Sequence, residues 1–182
     1  MPEVLPTKLD GVVLLEPAVH GDDRGFLVET FSEPTWREAG VDVEFVQDNH
    51  SRSSAGILRG IHFQTHPGQA KLVRAARGKI WDVAVDLRRD SPTYGRWEGY
   101  ELDDERHRQL FVPPGFAHGF CVLSDLADVH YKLSSLYDPE TEAGITWDDP
   151  DVGIEWPVSD PQTSERDRNA PRLAEIADEL PF

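Results

Sequence analysis

The sequence predicts an all-β fold, a sandwich or barrel of many short strands, and three observations carry that reading. From Glu44 nearly to the C-terminus, short apolar and β-branched runs recur, several of them alternating with period 2. Turn signals punctuate them at Arg77-Gly78, Ser91-Pro92, Pro113-Pro114-Gly115 and Asp138-Pro139. Helical spacing is confined to segments near the two ends, which argues against a βαβ arrangement. At 182 residues the chain reads as one domain, long enough to bury a full core. That core is expected over about residues 12–135, with a C-terminal loop and helix, 136–182, closing over the site.

Taken in order, Val12 to Glu16 is a short apolar strand, and His20 to Gly25 is turn chemistry rich in Gly and Asp. Phe26 to Phe31 alternates as a strand. Ser32 to Ala39 has an N-cap residue, an early proline and a closing Gly40, so one short helix is expected. Phe45, Gln47 and Asn49 share one face of the next strand by period 2. Strands then follow over Ile57–Phe63, Gln69–Ala76, Lys79–Leu87, Trp97–Leu102, Gln109–Val112, Phe116–Leu123 and Ala127–Leu133. Pro171 to Leu180 returns to helical spacing through Leu173, Ile176 and Leu180.

Charge narrows the function. The chain carries 34 Asp and Glu against 18 Lys and Arg, a formal charge of −16. That balance argues against nucleic acid or an anionic membrane as partner. The segment Asn49 to Trp81 nevertheless contains no carboxylate, where the average acidic density would give about 6. It holds Arg52, Arg59, Lys71, Arg74, Arg77 and Lys79, together with His62. An acid-free, cation-bearing segment in an acidic chain suits an anionic ligand; a surface strand pair matched to acidic neighbours is the plainer alternative. No run approaches the roughly 18 apolar residues of a membrane span, and the N-terminal residues lack a signal-peptide pattern. The single Cys121 fits a reducing cytoplasm.

Two histidine motifs mark cupin jelly rolls: H-x-H followed by a glutamate, and P-x-G-x-x-H. The second is present as Pro113, Gly115 and His118. The first is half erased, because Gln64 and Gln69 stand where a ligand histidine and carboxylate would be. Side-chain amides are poor ligands for zinc or iron, so no metal is expected; the cavity would then do any chemistry by acid–base groups alone, with no cofactor.

Several spaced runs then converge on one family. They are Asp23-Arg24-Gly25-Phe26, Phe45-Val46-Gln47-Asp48-Asn49, Leu58-Arg59-Gly60-Ile61-His62-Phe63-Gln64 and Gln69-Ala70-Lys71. Asp82 to Arg88, Ser91 to Gly95, Pro114 to Phe120, Tyr131-Lys132, Asp149-Pro150 and Ser164 to Asp167 continue the set. Through them the chain resembles the dTDP-4-dehydrorhamnose 3,5-epimerases over nearly its whole length. The resemblance implies a metal-free, cupin-type jelly-roll homodimer acting on dTDP-4-dehydro-6-deoxyglucose, in the cytoplasm, within dTDP-rhamnose synthesis.

It also implies roles. Epimerisation at carbons 3 and 5 needs a base, an acid on the opposite ring face, and positive charge at the carbon-4 keto oxygen. His62 suits the base, since imidazole titrates near neutrality. Asp167 would orient its ring, Lys71 would face the keto oxygen with help from His118, and Tyr131 would return the proton. Arg24 and Arg59 match diphosphate contacts, for which a guanidinium fork is well shaped. Glu29, Gln47, Asp48, Asn49, Glu142 and Arg166 match further ligand contacts. Tyr137 is either a stacking residue or a core aromatic.

Two alternatives stay open: a mono-epimerase acting on a related deoxysugar for antibiotic decoration, and a non-catalytic sugar-nucleotide-binding cupin. One geometric question also stays open. Arg59 and His62 are three residues apart and would face opposite sides of a regular strand. A bulge at Gly60, or a position for Arg59 at the cavity mouth, would each resolve it.

Overall fold

The computed structural model describes residues 1–182 and is built almost entirely of antiparallel strands. In chain order these are β1 (Glu3–Leu5), β2 (Val13–Glu16), β3 (Val19–Asp22), β4 (Gly25–Val28), β5 (Gln47–Ser54), β6 (Leu58–Gln64) and β7 (Lys71–Arg77). The rest are β8 (Lys79–Asp86), β9 (Trp97–Asp103), β10 (Gln109–Val112), β11 (Phe116–Val122), β12 (Leu126–Leu133) and β13 (Glu142–Gly144). Three short helices accompany them: α1 (Glu33–Glu38), α2 (Glu165–Arg168) and α3 (Leu173–Ile176). Six strands form one sheet in the order β1-β2-β10-β7-β12-β5, and five form a second, β13-β6-β11-β8-β9. The two face each other as a cupin-type jelly roll, while β3 and β4 pair only with one another.

Period-2 geometry explains how one interior holds both a core and a cleft. On β7, Ala75 and Val73 are fully buried between the sheets, and the next inward residue, Lys71, opens on the cleft. On β12 the same face runs from Ala127 and Val129 in the core to Tyr131 in the cleft. Ile80, Leu102 and Leu110 complete the filled part. Burying each such side chain contributes on the order of 1.5–3 kcal/mol.

Both outer faces are covered as well. Ile61, Phe63, Val83 and Val85 pack under the C-terminal segment with Leu173 and Leu180. That is why β8 and β11 read as nearly continuous apolar runs rather than alternating ones. On the other sheet, Leu15, Leu72 and Phe111 pack under Trp36 of α1. The helix follows the predicted signals, with Ser32 in extended geometry before it and Gly40 at φ +97° after it, although the Ser32 side chain makes no capping bond.

Three expectations need correcting, and the strand β13 was not expected at all. Phe45 precedes β5 and packs beside Phe31 in the Trp36 cluster instead of sharing the face of Gln47 and Asn49. The strand predicted for Phe26–Phe31 is shorter, and its hairpin with β3 is almost wholly exposed. The small strand β13 carries no readable period. The C-terminal helical run is divided into α3 and a 3-10 turn at Ala177–Glu179, which leaves Leu180 to fold back onto the core. No helix is long and apolar enough to cross a membrane.

Candidate active site

The open part of the interior is a cleft of about 910 Å³. Its geometry begins with β6. The register against β11 pairs His62 with His118 and Arg59 with Phe120, so Gly60 and Ile61 together oppose the single residue Gly119. This bulge adds half a pleat and brings Arg59 and His62 onto one face. Gly60 has φ +131°, and a Cβ there would lie 2.5 Å from the Gly119 Cα. Only glycine fits that conformation and that approach.

Asp167 approaches His62 from the far end of the sequence. Backbone bonds from Leu58 to the Gln162 carbonyl (2.9 Å), and from Gln162 to the Gly56 carbonyl (2.9 Å), fasten the C-terminal segment to the start of β6. Ser164 then caps α2 by accepting from the Asp167 amide (3.1 Å), which fixes the turn bearing the carboxylate. Asp167 Oδ1 lies 2.7 Å from His62 Nε2. With Nε2 engaged, Nδ1 is the nitrogen left to take a proton. Burial pushes the Asp167 carboxyl up, but the bond from His62, its charge, Ser164 and the Gly60 amide outweigh this and hold it below the usual range.

Beside this pair, Lys71 Nζ donates to the His62 carbonyl at 3.3 Å. Burial lowers its ammonium to about 8, with Glu142 and Asp82 opposing the shift. His118 lies next to His62 across the β6–β11 ladder, and its Nε2 is 2.9 Å from Oδ1 of the fully buried Asp82. Tyr131 enters from the opposite sheet, opposite Asn49 in register, and Gln47 donates to Asn49 Oδ1 at 3.0 Å. Arg59 lines the cleft from β6, on the sheet of His62, and donates to Ser53 Oγ on β5 at 3.0 Å. At the rim, the Tyr137 hydroxyl donates to Glu142 Oε2 (2.9 Å), which also pairs with Arg166.

The cleft therefore gathers His62, Lys71, Tyr131 and Asp167, with Gln47, Asn49, Arg59 and His118 on its walls and Tyr137, Glu142 and Arg166 at its rim. Three sequence-assigned residues are elsewhere. Arg24 sits on the β3–β4 hairpin, its side chain 89% exposed and paired with Asp22. Glu29 follows the same hairpin and borders a separate surface hollow with Trp36. Asp48 has the opposite parity to Gln47 and Asn49, faces outward, and pairs with Lys132 at 3.0 Å. Of the remaining cations in the acid-free segment, Arg52 pairs with Asp128 and Lys79 with Glu101, both outside the cleft. Gln64 and Gln69 have a different use: their amides donate to the carbonyls of Asp138 (3.2 Å) and Ser135 (3.1 Å). Both bonds hold the loop 134–141 that carries Tyr137.

Sequence reasoning missed Asp82 and the Gln162–Thr163 wall. Asp82 left a signal: Ile80, Asp82 and Ala84 share the inward face of β8, so a carboxylate stands in an otherwise apolar row. The Gln162–Thr163 wall left none, being irregular chain fixed by backbone bonds.

Fold and cleft together define a cupin-type jelly roll whose cavity is equipped for proton transfer. The chain belongs to the dTDP-4-dehydrorhamnose 3,5-epimerase family, whose model matches residues 6–175, and it is accordingly an isomerase. It is 54% identical over 174 residues to the dTDP-4-dehydrorhamnose 3,5-epimerase of Methanothermobacter thermautotrophicus, covering 94% of each chain. A dTDP-4-dehydrorhamnose 3-epimerase from Streptomyces niveus is 43% identical over 175 residues, 95% of this chain and 84% of that one. Among solved structures, a 3,5-epimerase from Legionella pneumophila in complex with dTDP-4-keto-L-rhamnose superposes with a TM-score of 0.96. It is 44% identical, with 100% of this chain and 98% of that one covered.

Proposed function

We propose that this chain inverts carbons 3 and 5 of dTDP-4-dehydro-6-deoxyglucose, giving dTDP-4-dehydro-rhamnose for dTDP-rhamnose synthesis in the cytoplasm. A cleft of about 910 Å³ suits a ligand of nucleotide-sugar size. The observation that carries the reading is His62, held by Asp167 at 2.7 Å while opening on the cleft that Lys71 and Tyr131 also line.

Each inversion proceeds in two steps. His62 removes the proton beside the keto group, and the electron pair moves onto the carbon-4 oxygen as an enolate. Asp167 steadies the imidazolium so formed, and the Lys71 ammonium faces the developing oxyanion. Tyr131 then delivers a proton to the opposite ring face, and solvent exchange returns His62 and Tyr131 to their starting states. The cycle consumes no oxidant and needs no cofactor. Arg59 is assigned to the diphosphate, and Gln47 and Asn49 to hydroxyls or base edges.

A homodimer is part of the same reading. The β3–β4 hairpin exposes Phe26 (61%) and Leu27 (72%), and an isolated two-stranded ribbon is marginal alone. A second copy packed there would cover the apolar residues and carry Arg24 and Glu29 toward the neighbouring cleft.

The test is incubation with dTDP-4-dehydro-6-deoxyglucose in deuterium oxide. Label at both carbons, with a product that a downstream reductase converts to dTDP-rhamnose, is the expected result. Label at carbon 3 alone would favour the second reading, a mono-epimerase, which the likeness to the Streptomyces niveus 3-epimerase keeps in view. No label at either carbon would leave a non-catalytic binding protein.

A further inference from the structure

Of the arginines and the lysine that line the cleft, Arg59, Lys71, Arg166 and Arg168, only Arg166 pairs with a carboxylate, that of Glu142. Lys71 donates to the His62 carbonyl and has its place in the chemistry above. Arg59 and Arg168 remain. Each uses one side-chain N–H on a neutral oxygen, Arg59 on Ser53 Oγ at 3.0 Å and Arg168 on the Thr163 carbonyl at 2.5 Å. A guanidinium carries several further donors, so most of both forks is left for something else. In a chain of formal charge −16, two arginines on one cleft stand without an acid.

The backbone brings them to the same end of the cleft. Arg168 closes the single turn of α2, where its amide donates to the Ser164 carbonyl at 3.1 Å. Its side chain then reaches back to Thr163, ahead of the helix. Thr163 follows Gln162, whose carbonyl accepts from the Leu58 amide at 2.9 Å and which bridges to Ile57. Arg59 is the next residue after Leu58. Residues 162–163 therefore lie beside residues 57–59, and the Arg168 head is tethered on the same wall from which Arg59 projects. Like charges gathered in this way repel unless an anion joins them. Two forks approaching from two segments suit a group with several ionised oxygens, such as a diphosphate.

We propose that Arg168 is a second diphosphate-binding residue, meeting from the C-terminal segment the group that Arg59 meets from β6. This rests on the nucleotide-sugar reading of the cleft and adds to it a residue next to Asp167. A substrate held through Arg168 is thereby fastened to the segment that carries the carboxylate partner of His62.

The test is calorimetric titration of the full-length protein with dTDP and, separately, with inorganic pyrophosphate. Arg168→Ala should weaken both by about tenfold, the lower end for hydrogen bonds to a charged group. The loss should appear in KM, with kcat changed by less than about threefold. Arg168→Lys, which keeps the charge without the fork, should fall between. Raising salt from about 50 mM to about 500 mM should bring wild type and Arg168→Ala closer together, because the missing interaction is one that salt screens. A purely structural tie to the Thr163 carbonyl would give a loss that salt leaves unchanged and that Arg168→Lys does not share by charge. That result overturns the proposal, as does an unchanged dTDP affinity in Arg168→Ala. If Arg168→Ala does not fold by thermal melt, Arg168→Gln, which retains a donor for Thr163, should show the same salt-dependent loss. The two readings fail separately. A wild-type protein that binds pyrophosphate through Arg168 but not dTDP keeps the anion site and loses the nucleotide-sugar reading, and one that binds neither overturns both.

Discussion

Arg59 and His62 stand three residues apart on β6, yet both face the cleft, because Gly60 and Ile61 together occupy the space opposite Gly119. The bulge rests on a backbone conformation and an approach that no side chain tolerates. Gly60→Ala should therefore cost about 3 kcal/mol or more, combining a positive-φ penalty with a backbone clash. In a chain of this size that lowers the melting temperature by roughly 6–12 °C. Any folded protein recovered should have lost turnover beyond its loss of stability, since Arg59 and His62 would no longer share a face. A variant with wild-type stability and activity would show that the bulge is dispensable.

The His62–Asp167 pair makes a second, separable prediction. His62→Ala should bind dTDP as the wild type does while losing about 10²–10⁴-fold in kcat, the usual worth of a positioned base. Asp167→Asn keeps a hydrogen-bonding side chain but removes the charge that steadies the imidazolium. Its loss should also fall on kcat, with KM little changed. Calorimetric titration with dTDP alongside steady-state kinetics separates the two. A His62→Ala protein that no longer binds dTDP would make His62 a binding residue.

How much of this was legible in the sequence depended on whether a feature was local. Strand positions were, because period 2 and Gly or Pro turns are written in adjacent residues. His62, Lys71 and Tyr131 were, because each lies in a distinctive run. The bulge was legible only as a question, since the parity conflict between Arg59 and His62 showed that something must give and not what. The partnership of His118 with Asp82 joins residues 36 apart in sequence, and nothing local announces it. Arg24 and Glu29 are instructive for another reason. The family resemblance implies that both contact a ligand, yet the fold sets Arg24 on a hairpin, and Glu29 just after it, away from their own cleft; on the proposed homodimer reading, sequence order cannot say which copy's cleft a residue serves.

One contribution to acid stability lies outside the cleft. The Asp86 carboxylate, fully buried at the end of β8, accepts from Ser91 Oγ and Thr93 Oγ1 at 2.6 Å each and from Arg88 Nη2 at 2.8 Å. Burial pushes its pKa up, but these donors and the Arg88 amide bring it down from 3.8 to about 2. The folded value lies below the unfolded one, so the stabilisation is complete above about pH 4 and fades as pH falls toward 2. At about 1.4 kcal/mol for each pH unit, it amounts to about 2 kcal/mol. Asp86→Asn should lose about that much at pH 7 and show a shallower decline between pH 4 and 2 in urea unfolding. An unaltered acid profile would assign the decline to other carboxylates.

The sharpest test of the hairpin uses two damaged proteins. If Arg24 serves the neighbouring cleft, an Arg24→Ala chain keeps an intact base but presents a defective hairpin. A His62→Ala chain does the reverse. In a mixed dimer, the cleft of the Arg24→Ala chain receives a sound hairpin from its neighbour and is wild type in every contact. The other cleft lacks both groups. Random reassortment of equal amounts makes half the dimers mixed, so about one cleft in four regains full function. Activity at low substrate should then rise to about a quarter of the wild-type value after the two are co-refolded. If Arg24 instead reaches its own cleft, no mixed dimer contains a sound site, and activity stays at the average of the two variants.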